Sequence, residues 1–159
     1  MIPSRIALAA NTFNQNAGVL KRTLDGLTND EWLRRPSDHS NHLLWIVAHI
    51  AWTRSRLLSK LGAEWSEPWM KLYDRGSQCV DSPECPGSPE VLAGWNETCV
   101  RLNAALEAAS DESLDAAQGP PSNDGKVSGF VNFLAFHETY HVGQAAYLRS
   151  WLGHQGVMG

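Results

Sequence analysis

Long apolar runs are missing from this 159-residue chain, and nothing approaches the ~20 consecutive apolar residues needed to span a bilayer. Basic clusters are missing too. The net charge is -4 and the pI near 5.8, so the footprint of a nucleic-acid binder is absent. The opening Met1-Ile2-Pro3-Ser4-Arg5 lacks the basic-then-apolar layout of a signal peptide. The expectations are a cytoplasmic protein with no membrane and no nucleic-acid partner. Cysteine is scarce, and an odd count of three excludes a full disulfide framework. Cys79 and Cys85 fall in a loop-like region and are expected as free thiols. Cys99 falls in an apolar helical stripe, where a core thiol is expected over a reactive one. Alternating polar and apolar residues are too few to argue for a sheet, although a short hairpin in either long loop stays open. Repeats, low-complexity tracts and a second domain are also lacking.

What is present fits one ordinary globular domain over residues 1–159, with 43% hydrophobic and 19% charged residues in 17.5 kDa. Apolar residues recur at steps of three and four in four places. The first stripe is Ile6, Ala9, Phe13, Ala17, Leu20, Leu24 and Leu27, with Ser4 as the expected cap. Gly26 weakens its last turn, and Trp32 lies just beyond. The second stripe is His42, Trp45, Ile46, His49, Trp52 or Thr53, and Arg56. It begins after Ser40 or Asn41 and stops at Leu61-Gly62. The third starts at Ser88-Pro89-Glu90 and runs through Val91, Leu92, Trp95, Thr98, Cys99, Leu102, Ala105 and Leu106. The fourth starts near Val127-Ser128 and carries Phe130, Phe133, Leu134, His137, His141, Gln144, Ala145 and Leu148 before Gly153.

Residues 62 to 87 show no clear period and hold prolines 68, 83 and 86. A connection this long demands a reason. A crossover along a bundle supplies one, leaving the second and third helices parallel. The expected fold class is all-α, a four-helix bundle.

Two histidines four apart on a helix share a face, one turn apart. His137 and His141 have that spacing on an apolar stripe, where unpaired polar groups are costly. A shared metal ion removes the cost. His49, on the second stripe, supplies a third nitrogen from a facing helix. Three histidines with an open position are the layout of a catalytic zinc centre. His42 lies two turns, ~10.5 Å, before His49, too far for the same ion. It reads as a residue of the helix start, His39 as loop and His154 as a solvated tail residue.

His137-Glu138-Thr139-Tyr140-His141 also matches the H-E-x-x-H string of zinc proteases, in which Glu138 would be the general base. The extended protease pattern is broken. Gly143 comes one residue early and Tyr147 takes the third-histidine place. Glu138 is therefore a candidate catalytic residue or a carboxylate beside the ligands. Gln144 is a candidate for orienting a ligand or substrate, or for hydrogen bonding across helices. Tyr140 and Tyr147 lie off the stripe and read as amphipathic packing. Trp45 and Trp52, a turn either side of His49, read as core, with pocket lining the alternative.

Helical His49, then His137-Glu138-Thr139-Tyr140-His141-Val142-Gly143-Gln144 with Leu148-Arg149 and Leu152-Gly153, resembles the DinB/YfiT-like superfamily of metalloenzymes. Arg35-Pro36 and Asn41-His42-Leu43-Leu44-Trp45-Ile46-Val47-Ala48-His49 resemble its second-helix segment. The resemblance implies an up-down-down-up bundle, a homodimer, and a divalent metal, often nickel or zinc, held by His49, His137 and His141. It further implies a small-molecule substrate and a thiol-dependent S-transferase using a low-molecular-weight thiol. A metal-dependent hydrolase and a non-catalytic metal-binding stress protein are the alternatives. The residues themselves do not choose the metal, since imidazoles suit zinc, nickel, copper and iron alike.

Overall fold

The computed structural model describes residues 1–77 and 84–157. The expectation for Cys79, and with it any pairing to Cys85, lies outside the described residues. Every named element is helical: α1 Ser4–Leu24, α2 Asn29–Leu33, α3 Leu43–Lys60, a 3-10 helix Pro68–Tyr73, α4 Ser88–Ala108, α5 Asp111–Asp115 and α6 Val127–Trp151. A lone antiparallel bridge, Ala117 to Lys126, is the only trace of β pairing among the described residues. No helix among them is long and apolar enough to cross a membrane.

The four long helices, α1, α3, α4 and α6, coincide with the four stripes. Their starts differ from expectation. Ser4 is the first residue of α1 and not its cap, because Pro3 occupies the cap position. Its last turn ends at Leu24, and Gly26 lies beyond it at φ 74, a left-handed geometry suited to glycine. His42 caps α3 in place of Ser40 or Asn41, its Nδ1 accepting from the Trp45 N–H at 3.0 Å. Gly87 caps α4, freeing the Ser88 hydroxyl to donate to Asn29 Oδ1 at 2.6 Å. Trp32 is carried by α2, which a Thr28–Glu31 capping box starts. His154 is no loose tail residue: its Nε2 meets Glu31 Oε1 at 2.7 Å.

α1 packs on α6, and α3 packs on both α4 and α6, with α1 and α4 also in contact. The core falls into two clusters. One gathers Phe13, Leu57, Leu102, Leu106, Leu114, Val131 and Leu134. The other gathers Trp45, Ile46, Ile50, Met70, Trp95, Val142 and Leu148, and borders the histidines. The 3-10 helix packs on α3. Its Trp69 lies against Gly94 of α4, where a Cβ would stand 2.6 Å from the indole Cζ2. At the other end of the bundle, Asp124 fixes the start of α6. Its Oδ1 accepts from the Gly129 N–H at 3.1 Å and its Oδ2 from the Ser128 hydroxyl at 2.9 Å. Both bonds place negative charge where free helix N–H groups collect.

Gly94→Ala tests how tightly the 3-10 segment is seated. Alanine gains about 1 kcal/mol in helix propensity, but the added methyl overlaps a rigid buried ring and overpacking costs about 1–3 kcal/mol. Urea denaturation is expected to show a net loss of stability; a gain would mean that Trp69 is free to move aside.

Candidate metal centre

α3 and α6 cross so that His49, His137 and His141 converge, with one candidate ligand atom from each lying within 4.8 Å of the others. Ring centroids are 4.8 Å apart for His49 and His141, 5.3 Å for His49 and His137, and 4.5 Å for His137 and His141. The histidines expected to share an ion are thus brought together. His42, His39 and His154 stand apart from them at a helix cap, a turn and a hydrogen bond with Glu31.

Each ring is oriented by its neighbours. His49 Nδ1 lies 2.7 Å from the carbonyl oxygen of Tyr73, the last residue of the 3-10 helix. A carbonyl only accepts, so Nδ1 carries the hydrogen and Nε2 keeps its lone pair. Trp45 stacks on His49 at 4.7 Å and 9°, and Trp52 at 5.4 Å and 29°. Both tryptophans pack on the His49 ring. His141 Nδ1 lies 2.8 Å from Gln144 Oε1, and the Gln144 Nε2 donates to Tyr140 Oη at 3.0 Å. In that amide orientation His141 Nδ1 donates and its Nε2 keeps a lone pair. Hydrogen bonds of this kind on the remote nitrogen set the tautomer of metal-binding histidines. Phe133 stacks on His137 at 5.9 Å and 23°. His137 Nδ1 is buried without a hydrogen-bonding partner among the described residues.

The His137–His141 doublet has the spacing a metal ion needs. The spread of the trio, up to 4.8 Å, exceeds the ~4.2 Å that two nitrogens on one ion can span, so binding would draw His49 and the doublet together. The Nε2 atoms of His137 and His141 are 3.2 Å apart. Two nitrogens at 2.0–2.1 Å from one ion, 90–110° apart, would be separated by about 2.8–3.4 Å. The electrostatics agree. Burial pushes His49 down to about 4, with His137 adding to the effect against the Tyr73 carbonyl and Asp74. Burial likewise pushes His141 down to about 4, helped by His49 and His137. His137 is also lowered by burial, with Glu138 opposing and Arg75 assisting. All three are neutral at pH 7, the form that binds metals.

Glu138 is almost completely buried and takes no part in the convergence of nitrogens. Its Oε2 accepts from Arg54 Nε at 2.7 Å and its Oε1 from Arg54 Nη2 at 2.8 Å. The same guanidinium donates from Nη1 to Cys99 Sγ at 3.0 Å and from Nη2 to the Phe13 carbonyl at 3.3 Å. Arg54 therefore touches α1, α4 and α6 from α3. Burial alone would lower its pKa, but the Glu138 charge outweighs it and the pKa is raised. Burial raises the Cys99 thiol despite Arg54, in keeping with a structural thiol. Next along α6, Thr139 Oγ1 meets Asn16 Nδ2 of α1 at 3.1 Å.

Arg54, Tyr73 and Asn16 escape a reading by sequence. The second stripe places Arg56 inward, but Arg56 is exposed and Arg54 buried. A charged residue in the apolar middle of that helix was the available signal. Tyr73 acts through its backbone, which leaves no mark in residue identity.

Comparison with known proteins follows the same lines. The family model described as the DinB superfamily matches residues 12–145. A crystal structure described as a conserved protein of locus from Enterococcus faecalis superposes with a TM-score of 0.69. It is 16% identical, over 91% of this chain and 94% of that one, a likeness of fold. No curated protein matches.

The depressed histidines predict a pH dependence for the metal-free protein. Unfolded histidine titrates near 6.5, whereas His49 and His141 hold off protonation to about 4. Between those values the unfolded chain binds more protons, so stability is present above pH ~6.5 and is lost as pH falls towards ~4. Thermal melts at pH 7, 5.5 and 4.5 are expected to show this fall, shallower in His49→Phe. A profile unchanged by that substitution would contradict it.

Proposed function

The chain belongs to the DinB superfamily, and from that premise we propose that it is a divalent-metal-dependent enzyme, in first preference a thiol-dependent S-transferase. The observation that carries this is the convergence of three neutral imidazoles from two helices, two of them hydrogen-bonded at Nδ1 to Tyr73 and Gln144. His49, His137 and His141 would hold the metal, with zinc or nickel preferred. Bound there, a divalent ion would lower the pKa of a neighbouring thiol or water and so supply a nucleophile.

The protein's own groups bind and orient. Trp45 and Trp52 clamp the His49 ring between indoles, and Gln144 holds the His141 ring. In S-transfer the thiol sulfur forms a bond to an electrophilic carbon, the leaving group departs with its electron pair, and the thiol proton is released. Glu138 enters this reading as an anchor for α6, since both of its oxygens are bonded to Arg54. A base role would require breaking that buried ion pair. Gln144 enters as the residue that orients His141.

The same proposal includes a single metal-binding domain over 1–159, the up-down-down-up order of the long helices, a cytoplasmic location, a small-molecule substrate, no nucleic-acid partner, and a homodimer. The long connection 61–87 supports the helix order. Phe136, Tyr140, Tyr147 and Trp151 support the homodimer, because they leave an aromatic ridge exposed along α6. Metal-dependent hydrolysis is the second reading: the same centre would activate water.

Elemental analysis and a thiol panel test the proposal. Wild type purified with Zn²⁺ or Ni²⁺ is expected to carry about one ion per three-histidine site. It should transfer glutathione, bacillithiol or mycothiol to 1-chloro-2,4-dinitrobenzene. His49→Ala is expected to lose both metal and turnover. Metal without turnover for any thiol shifts the assignment to hydrolysis or to non-catalytic binding. Absence of metal from wild type after supplementation defeats the reading altogether.

A further inference from the structure

We propose that Arg54 and Glu138 are positioning residues of the metal centre, fixing the rotation of α6 about its axis so that His137 and His141 face His49. The inference rests on the metal-centre reading and adds the device that aims the ligands. Neither residue reaches into the cluster. At 100° per residue, Glu138 lies about 100° round α6 from His137 and about 60° from His141. Arg54 lies about 140° round α3 from His49. The pair sits deeper between the helices, with side-chain exposures of 3% and 2%.

The geometry suits a rotational lock. Two charge-assisted hydrogen bonds of 2.7 and 2.8 Å join a planar fork to a carboxylate, which restricts direction as well as distance. The fork is itself held from α1 by the Phe13 carbonyl and from α4 by Cys99. A side-chain tip lies about 5–6 Å from a helix axis, so a 20° turn of α6 would carry an imidazole about 2 Å. Metal–ligand distances in a formed site vary by only about 0.2 Å. The Asn16–Thr139 contact resists the same rotation, but as a neutral pair at 3.1 Å it is the weaker restraint. Stability alone does not account for the ion pair, because well-packed hydrophobic residues commonly do as well in such positions.

The test is the double variant Arg54→Met, Glu138→Leu, which removes both charges and leaves neither stranded. Zn²⁺ affinity is measured by chelator competition and ligand geometry by the Co²⁺ d–d absorption spectrum. Circular dichroism and Tm check folding. Leu102→Ala, a fully buried core truncation in α4, is the control for general destabilisation. The double variant is expected to fold, to bind Zn²⁺ about 10- to 100-fold more weakly, and to show an altered Co²⁺ spectrum. Leu102→Ala is expected to lower Tm and leave affinity and spectrum unchanged. Arg54→Lys, which keeps the charge but loses the fork, is expected to show an intermediate loss, and carries the test if the double variant does not fold. Wild-type affinity and spectrum in whichever of these folds would overturn the proposal. Failure of wild type to bind Zn²⁺ would overturn the metal-centre reading instead.

Discussion

A guanidinium and a carboxylate lie out of water where the four long helices meet, and that burial constrains much of what surrounds them. Removing either charge alone would strand the other, at a cost of about 3–5 kcal/mol. The donors of Arg54 must therefore find acceptors, and four of its five N–H groups do. They find two oxygens of Glu138, the Cys99 sulfur and the Phe13 carbonyl. Meeting those demands brings α1, α3, α4 and α6 to one point. The hydrophobic clusters on either side supply most of the driving force for folding, but apolar contact is non-directional. The ion pair supplies direction.

Direction matters because the histidines occupy the faces adjoining that point. Along α6, five consecutive residues divide the work. His137 and His141 present nitrogens 3.2 Å apart. Glu138 reaches α3 through Arg54, and Thr139 reaches α1 through Asn16. Tyr140 receives the Gln144 amide whose oxygen holds His141. On α3 the third imidazole lies between two indoles, and the 3-10 helix supplies a carbonyl to its Nδ1. The pentapeptide that resembles a protease signature is thus two converging imidazoles separated by residues that hold the helix in place.

The four long helices were legible because each carries an apolar stripe of the right period, and the three histidines because two share a turn and the third lies on a facing stripe. Helix starts were less legible. Ser4, Ser40 and Asn41 all have capping chemistry, and the caps observed, Pro3 and His42, depend on tertiary placement. The 3-10 helix was hidden in a connection without period. The stripe selects Arg56 over Arg54 because a step of three or four from Trp52 or Thr53 lands on Arg56. Two residues separate them, and the partner that decides between them, Glu138, lies 84 residues away in the chain. Glu138 alone is open between base and bystander, and its contact with Arg54 decides. Nothing local in the sequence could pair the two.

The most direct measurement of the central claim is X-ray absorption at the Zn K-edge of the Zn²⁺-loaded protein. Three imidazole nitrogens at about 2.0–2.1 Å, with an oxygen donor completing the shell, is the expected result. Their number should fall to two in His49→Ala. In thiol-free buffer, a wild-type shell containing sulfur, or one or no imidazole, would contradict the assignment of His49, His137 and His141 as a shared metal centre.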